Sequence, residues 1–232
     1  MTKFWNWSDG GEGERELRID GTIASESWWD DEITPAQFRN ELINGKGHVT
    51  LWINSPGGDV VAASQIYTML RDYKDGVTVK IDGMAASAAS VIAMAGTKVC
   101  MSPTAYLMIH NPLTVAYGNR DEMKKAMQLL DEIKEGIVNA YELKTGLPRN
   151  KIENMMDSET WMSAGKALEL GFCDEVMHTD GDKVADVMNY AFSNKSDLLE
   201  KLMNSIKDSE PKEPEEAKVN AEIRRRRLML LK

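Results

Sequence analysis

Between residues 49 and 109 short β-type runs alternate with helix-type runs, and two of the junctions are built from glycine and other small residues. Val-Thr-Leu-Trp-Ile-Asn at 49–54 reads as a strand, and residues 61–73 read as a helix with apolar positions at helical spacing. Val-Thr-Val-Lys-Ile at 77–81 is the next strand and residues 87–95 the next helix, followed by strands at 98–101 and 105–109. Parallel neighbours need a crossover between them, so this order predicts an α/β domain with a largely parallel sheet. Sheets of that class hold their ligands beyond the carboxyl ends of the strands, which directs attention to the loops that follow them.

The first such loop is Asn-Ser-Pro-Gly-Gly-Asp at 54–59. Pro56 fixes one torsion, while Gly57 and Gly58 admit backbone angles closed to other residues, so amide N–H groups can point outward at a helix start. Outward amides are oxyanion donors, although a Pro-Gly-Gly run taken alone is an ordinary turn. The second loop is Asp-Gly-Met-Ala-Ala-Ser-Ala-Ala-Ser at 82–90, where small residues surround Ser87 at the mouth of an apolar helix. A hydroxyl there meets a helix dipole and free amides that favour developing negative charge. On this segment alone the plainer reading is an N-cap serine, or close helix packing by small side chains. His110 ends an apolar strand and precedes Asn111 and Pro112, so it lies at a strand's carboxyl end. Near neutral pH an imidazole can take a proton from a serine and return it to a leaving amine, though a lone histidine is more often structural. His48 and His178 read as loop residues, and no combination of histidines with Cys100 and Cys173 gives a tight ligand spacing. Neither a metal nor a cofactor is expected.

The longest helix follows, with Asn119 as N-cap, Glu122 three residues on, and a seam of Met123, Met127, Leu130, Ile133, Ile137 and Tyr141; Gly146 and Pro148 form the stop. It exceeds what one small domain needs, and reads either as a helix projecting toward a neighbouring subunit or as a cover for the core. Hydrophobic residues make up 42% of the 232, enough for a packed core, and the formal net charge of −9 argues against a surface that grips nucleic acid as a whole. The longest apolar stretch, 84–96, is interrupted by Ser87 and Ser90 and is too short to cross a bilayer. Two cysteines are too few for a disulfide framework, and with no secretory-type leader the expected compartment is a reducing cytoplasm. Residues 193–232 carry ten Lys/Arg against eight Asp/Glu, whereas the first 192 carry 18 against 29. This tail contains a Pro- and Glu-rich run at 207–216 and four arginines, Arg224 to Arg227, before an apolar end. It reads as a charged C-terminal tail with helical segments and a linker, separate from residues 1–192.

Taken together and in order, Asn-Ser-Pro-Gly-Gly at 54–58, Gly-Met-Ala-Ala-Ser at 83–87 and Met-Ile-His-Asn-Pro at 108–112 resemble the Clp protease proteolytic subunit family. More narrowly the chain resembles the Clp-related head maturation proteases of tailed phages and prophages, whose openings are similar to Phe-Trp-Asn-Trp at 4–7. The likeness spans roughly residues 4–180. It implies a ClpP/crotonase-like α/β fold over residues 1–192, with largely parallel sheets, helices packed around them and a long projecting oligomerisation helix. It implies a serine endopeptidase, ATP-independent or partner-assisted, in which Ser87 matches the nucleophile, His110 the general base, and Gly58 and Ala88 the two oxyanion-hole amides. The family's acid precedes an aromatic residue and a Ser-Ala pair. Here Glu159, forty-nine residues after His110, takes that place instead of the more usual Asp, with Asp157 in reserve. The implied setting is a bacterial host cell, with capsid (prohead) maturation as the task and capsid or scaffold protein as substrate. The implied assembly is a homo-oligomeric ring, a heptamer or a double ring. Residues 1–31 depart from the family's usual N-terminal pattern, which leaves docking of an unfoldase open. Competing readings are a crotonase-like acyl-CoA enzyme, a catalytically decayed capsid-assembly component, and a Ser-Lys variant of the peptidase using Lys98.

Overall fold

A computed structural model describes residues 3–11, 14–23 and 35–178; Trp28, Trp29 and the tail at 193–232 lie outside these described residues. The sheet begins with two strands, β1 (Trp5–Gly11) and β2 (Glu14–Asp20), paired antiparallel. In β2 the alternation of charged residues with Leu17 and Ile19, both fully buried, is a half-buried strand pattern. β2 runs parallel to β3 (Val49–Ser55), and β3 parallel to β4 (Val77–Ala86) with Val49 opposite Val77. Val49, Leu51 and Ile53 on β3 and Val77, Val79 and Ile81 on β4 point into the core, while Trp52 and Lys80 meet on the other face with the ammonium 4.9 Å from the indole centroid.

β4 has ten residues, five more than the run of β-branched residues predicts, and it serves two neighbours. Its first half pairs with β5 (Lys98–Met101); its last residues, Met84 to Ala86, pair with β6 (Tyr106–Ile109). β7 (Thr160–Ser163) returns antiparallel to β6, and β8 (Glu175–Val176) extends the parallel set beside β5. The path β1-β2-β3-β4-β5-β8 with β6 and β7 branching from β4 makes an eight-stranded mixed sheet, in keeping with a predominantly parallel α/β expectation.

Six helices lie among the described residues: α1 (Pro35–Ile43), α2 (Val60–Arg71), α3 (Ala88–Ala93), α4 (Arg120–Thr145), α5 (Arg149–Asp157) and α6 (Ala164–Glu169). All six residues of α3 are buried, which alanine and serine permit by letting the surrounding elements approach closely. On α1, Phe38 and Leu42 are inserted in the core, each worth roughly 1.5–3 kcal/mol of burial. Trp5 packs edge-on against Phe4 and Phe38 with ring centroids 4.9 and 5.4 Å away, and Trp7 lies under the Arg15 guanidinium, so these two tryptophans serve packing within the fold.

Asn119 caps α4 as expected, its side chain accepting from the amides of Asp121 and Glu122, and Gly146 closes the helix at φ 66°. Glu122 binds Lys125. The seam read along the whole helix is buried only in its second half: Ile137 and Tyr141 are inside, while Met127 is 65% exposed. No residue from Arg120 to Gly136 is buried. Amphipathic spacing specifies which residues share a face but not how much of that face the rest of the chain reaches. No described helix is long and apolar enough to cross a membrane.

Candidate active site

Sheet register builds the site. Because β4 and β6 are parallel, with Ala86 opposite Met108, the residues that follow them emerge at the same end. The Ser87 amide donates to the Met108 carbonyl at 3.0 Å, and two residues further on His110 turns its ring back, placing Nε2 2.7 Å from Ser87 Oγ. The antiparallel return of β7 sets Thr160 opposite Ile109, so Glu159, the residue before the strand, comes up beside His110.

Ser87 sits at φ 53° and ψ −125°, a conformation that a residue with a Cβ adopts at a cost of order 1–3 kcal/mol. Its side chain makes no capping bond, which corrects the plainer reading of Ser87 as an N-cap: the hydroxyl is turned away from the helix and toward the imidazole. The sharp turn from β4 into α3 has the form in which a serine nucleophile is presented at the end of a strand.

The turn after β3 closes over Ser87. A Cβ on Gly57 would stand 2.7 Å from the Ala86 carbonyl oxygen and 2.8 Å from Ser87 Cβ, so only glycine lets the two loops touch. Gly58, at φ 146°, bridges to Ile23 through its neighbours: the Ile23 amide donates to the Gly57 carbonyl and the Asp59 amide to the Ile23 carbonyl. Gly58's own N–H is left outside that bridge. The N–H of Ala88, first residue of α3, likewise has no acceptor within its helix. Both glycine and alanine line, with Ser87 and His110, a cavity of about 330 Å³ whose far wall is Leu130, Ile133, Ile137 and Tyr141 of α4.

Burial pushes the His110 pKa below that of an ordinary histidine, and the negative charge of Glu159 partly opposes this. No hydrogen bond joins His110 to a carboxylate among the described residues; Glu159, exposed and at φ 46°, accepts from Trp161 Nε1 at 3.0 Å. Asp157 is engaged elsewhere. Its Oδ1 accepts from Lys134 at 2.7 Å and from Asn111 Nδ2 at 2.9 Å, and these bonds, that to Lys134 first, hold its carboxyl below the usual aspartate range. Lys98 pairs with Glu175 and stands opposite Thr78, nine residues along the chain from Ser87. At about 3.3 Å per strand residue that separation is on the order of 30 Å, beyond any lysine side chain. The basic side chain that reaches Ser87 is that of His110, and the Ser-Lys alternative has no geometry behind it.

The three motifs lie within a longer match. The sequence profile described as Clp protease matches residues 27–180. The chain belongs to the Clp protease family. It is 33% identical over 131 residues to the ATP-dependent Clp protease proteolytic subunit of Porphyromonas gingivalis, a match covering 56% of this chain and 59% of that relative. It is 34% identical over 136 residues to the ATP-dependent Clp protease proteolytic subunit 2 of Thermobifida fusca, covering 58% and 67%. The chain thus spans about three fifths of the Porphyromonas Clp subunit it matches.

Two features of this Clp-family site escaped sequence reading. Trp161 as the partner of Glu159 is visible only once β7 is formed, although its place two residues after the carboxylate was in view. Ser90 and Tyr141, whose hydroxyls meet at 2.8 Å inside the protein, lie in runs that otherwise read as apolar.

Proposed function

We propose that the chain is a serine endopeptidase in which Ser87 is the nucleophile, His110 the general base, Glu159 the acid, and the amides of Gly58 and Ala88 the oxyanion hole. As Ser87 Oγ bonds to the carbonyl carbon of a peptide, His110 Nε2 takes its proton and the carbonyl electron pair moves onto oxygen, where the two amides receive it. Collapse of the adduct breaks the C–N bond, and the leaving amine takes the proton from the imidazolium. Water, activated by the same imidazole, then hydrolyses the acyl-enzyme. Glu159 acts by favouring the imidazolium through its charge.

The observation that carries this reading is the 2.7 Å contact between His110 Nε2 and Ser87 Oγ in a cavity that Gly58 and Ala88 also line. A fluorophosphonate probe tests it. Mass spectrometry should find the adduct on Ser87 in the wild type, and none in Ser87→Ala or His110→Ala. An unlabelled wild type would favour the acyl-CoA or decayed readings.

The finer assignment is to capsid maturation, with capsid or scaffold segments as substrates, supported by the Phe-Trp-Asn-Trp opening at 4–7. Incubation with capsid protein should yield defined cleavage products that Ser87→Ala does not make. Self-association into a ring is supported by Leu113, Val115, Tyr117, Met127 and Leu129, all more than half exposed on α4 and the loop before it. Sedimentation of Leu129→Glu should show smaller species than the wild type.

A further inference from the structure

Ser90 and Tyr141 are hydroxyl-bearing residues inside the protein, 0% and 1% exposed, and the proposed mechanism uses neither. Their hydrogen bonds form a directed chain. Ser90 Oγ lies 2.6 Å from the Ser87 carbonyl oxygen, which can only accept, so the single serine proton points there. Ser90 Oγ must then be the acceptor in its 2.8 Å contact with the Tyr141 hydroxyl, and Tyr141 the donor. Burial pushes the Tyr141 pKa upward and keeps the phenol protonated, as that direction requires. The tyrosine ring is itself fixed, edge-on to Phe172 at 5.6 Å and on the wall of the cavity beside Ser87.

The chain ends on one particular peptide unit. The carbonyl of Ser87 and the N–H of Ala88 belong to the same rigid plane, and in a trans peptide they point in opposite directions. Whatever holds the Ser87 oxygen therefore aims the Ala88 N–H. That oxygen accepts twice from Ser90, from the amide at 2.9 Å and from the hydroxyl at 2.6 Å. Hydrogen bonds to a carbonyl also polarise the amide and strengthen its N–H as a donor, and in a buried chain each bond reinforces the next. The plane needs holding, because Ser87 occupies backbone space that a side-chain-bearing residue leaves readily.

We propose that Tyr141 and Ser90 are positioning residues that aim and polarise the Ala88 N–H through the hydrogen-bond chain from the Tyr141 hydroxyl through Ser90 Oγ to the Ser87 carbonyl. This rests on Ser87 being the nucleophile and the Ala88 amide an oxyanion donor. Deleting an oxyanion donor lowers turnover by about 10²–10³. Misaiming one leaves part of its effect, so loss of the chain should lower it by about tenfold.

The test follows inactivation of the full-length protein by a fluorophosphonate, separating the maximal rate, kinact, from the half-saturating concentration, KI. Tyr141→Phe should lower kinact about tenfold with KI within about twofold and the acid limb of the pH profile unmoved, because the loss is confined to the transition state. Ser90→Ala should lower it at least as far, and the double variant no further than Ser90→Ala alone, since the bonds act in series. Thermal unfolding confirms that each variant is folded; if Ser90→Ala is not, Tyr141→Phe decides. A wild type labelled at Ser87 together with a Tyr141→Phe of unchanged kinact, whatever its melting temperature, overturns the positioning role alone. A rise in KI at constant kinact also overturns it. An unlabelled wild type overturns the nucleophile reading and takes this inference with it.

Discussion

The two sides of His110 are built differently. On one side Ser87 is held by its amide on Met108, by its carbonyl on Ser90 and by a glycine turn that no side chain could enter. On the other side Glu159 is exposed, bonded to Trp161, and reaches the imidazole through charge alone. Sheet register fixes Ser87 and His110, the proposed nucleophile and base, to each other, whereas the proposed acid is a surface side chain hydrogen-bonded to another residue. Under the proposed mechanism, the pair that exchanges a proton is thus set by the fold, and the group that only modulates that exchange is set loosely. The asymmetry predicts a steep gradient of mutational effects across the site.

The rigid side should give the largest losses. Ser87→Ala or His110→Ala should lower turnover of a peptide or nitrophenyl ester by on the order of 10⁴ or more, with the double variant little worse than either single one, because the two act as a unit. Gly57→Ala should follow at roughly 10²–10³. Its Cβ would stand 2.8 Å from Ser87 Cβ at a φ of 100°, so the turn must lift away from the nucleophile. Gly146 offers the control, since it also has positive φ but nothing within 4 Å of an added Cβ. Gly146→Ala should lower stability by about 1 kcal/mol and leave turnover unchanged. Equal losses of activity in the two glycine variants would mean that strain, and not closeness to Ser87, matters at residue 57.

The same asymmetry governs what could be read before folding. Glycine turns, the Ser87 and His110 loops and the caps of α4 are local: backbone angles and strand ends decide them within a few residues, so their residue types announce them. The position of Glu159 depends on β7 pairing with β6 across some fifty residues, a register that local pattern does not encode. The Ser-Asp-Gly-Gly stretch of β1 has the composition of a loop; its pairing to β2 and the burial of Trp5 override that preference. Spacing leaves open whether the α4 seam covers the core or projects from it, because spacing is a property of the helix and coverage a property of its surroundings. Ser90 and Tyr141 were legible as residues but not as a pair, fifty-one positions apart.

The loose side should respond mildly and in a way that pH reveals. Glu159→Gln should lower kcat/KM by about tenfold, far less than loss of the base, since only a charge effect is removed. The sign of the pH shift follows from the forces on His110. Burial lowers its pKa and the Glu159 carboxylate raises it by favouring the imidazolium. Without the carboxylate, burial acts unopposed, the imidazole loses its proton at lower pH, and the acid limb of the kcat/KM profile moves to more acidic values. A shift in the other direction would remove Glu159 from any role beside His110.

Asp157→Asn should have the smallest effect, and it separates the two acids proposed for the site. Asp157 spends its Oδ1 on Lys134 and Asn111, at 2.7 and 2.9 Å, and is not hydrogen-bonded to the imidazole. An exposed ion pair of this kind contributes little, and an asparagine oxygen can still accept from Asn111 and Lys134. Turnover should therefore stay within about threefold of the wild type, with the acid limb in place. If Asp157→Asn were instead the variant that moved the acid limb and Glu159→Gln left it fixed, the acid would be Asp157, reached by a turn of the residue 157–159 segment. The looseness of that side would then be a matter of which of two carboxylates faces the ring.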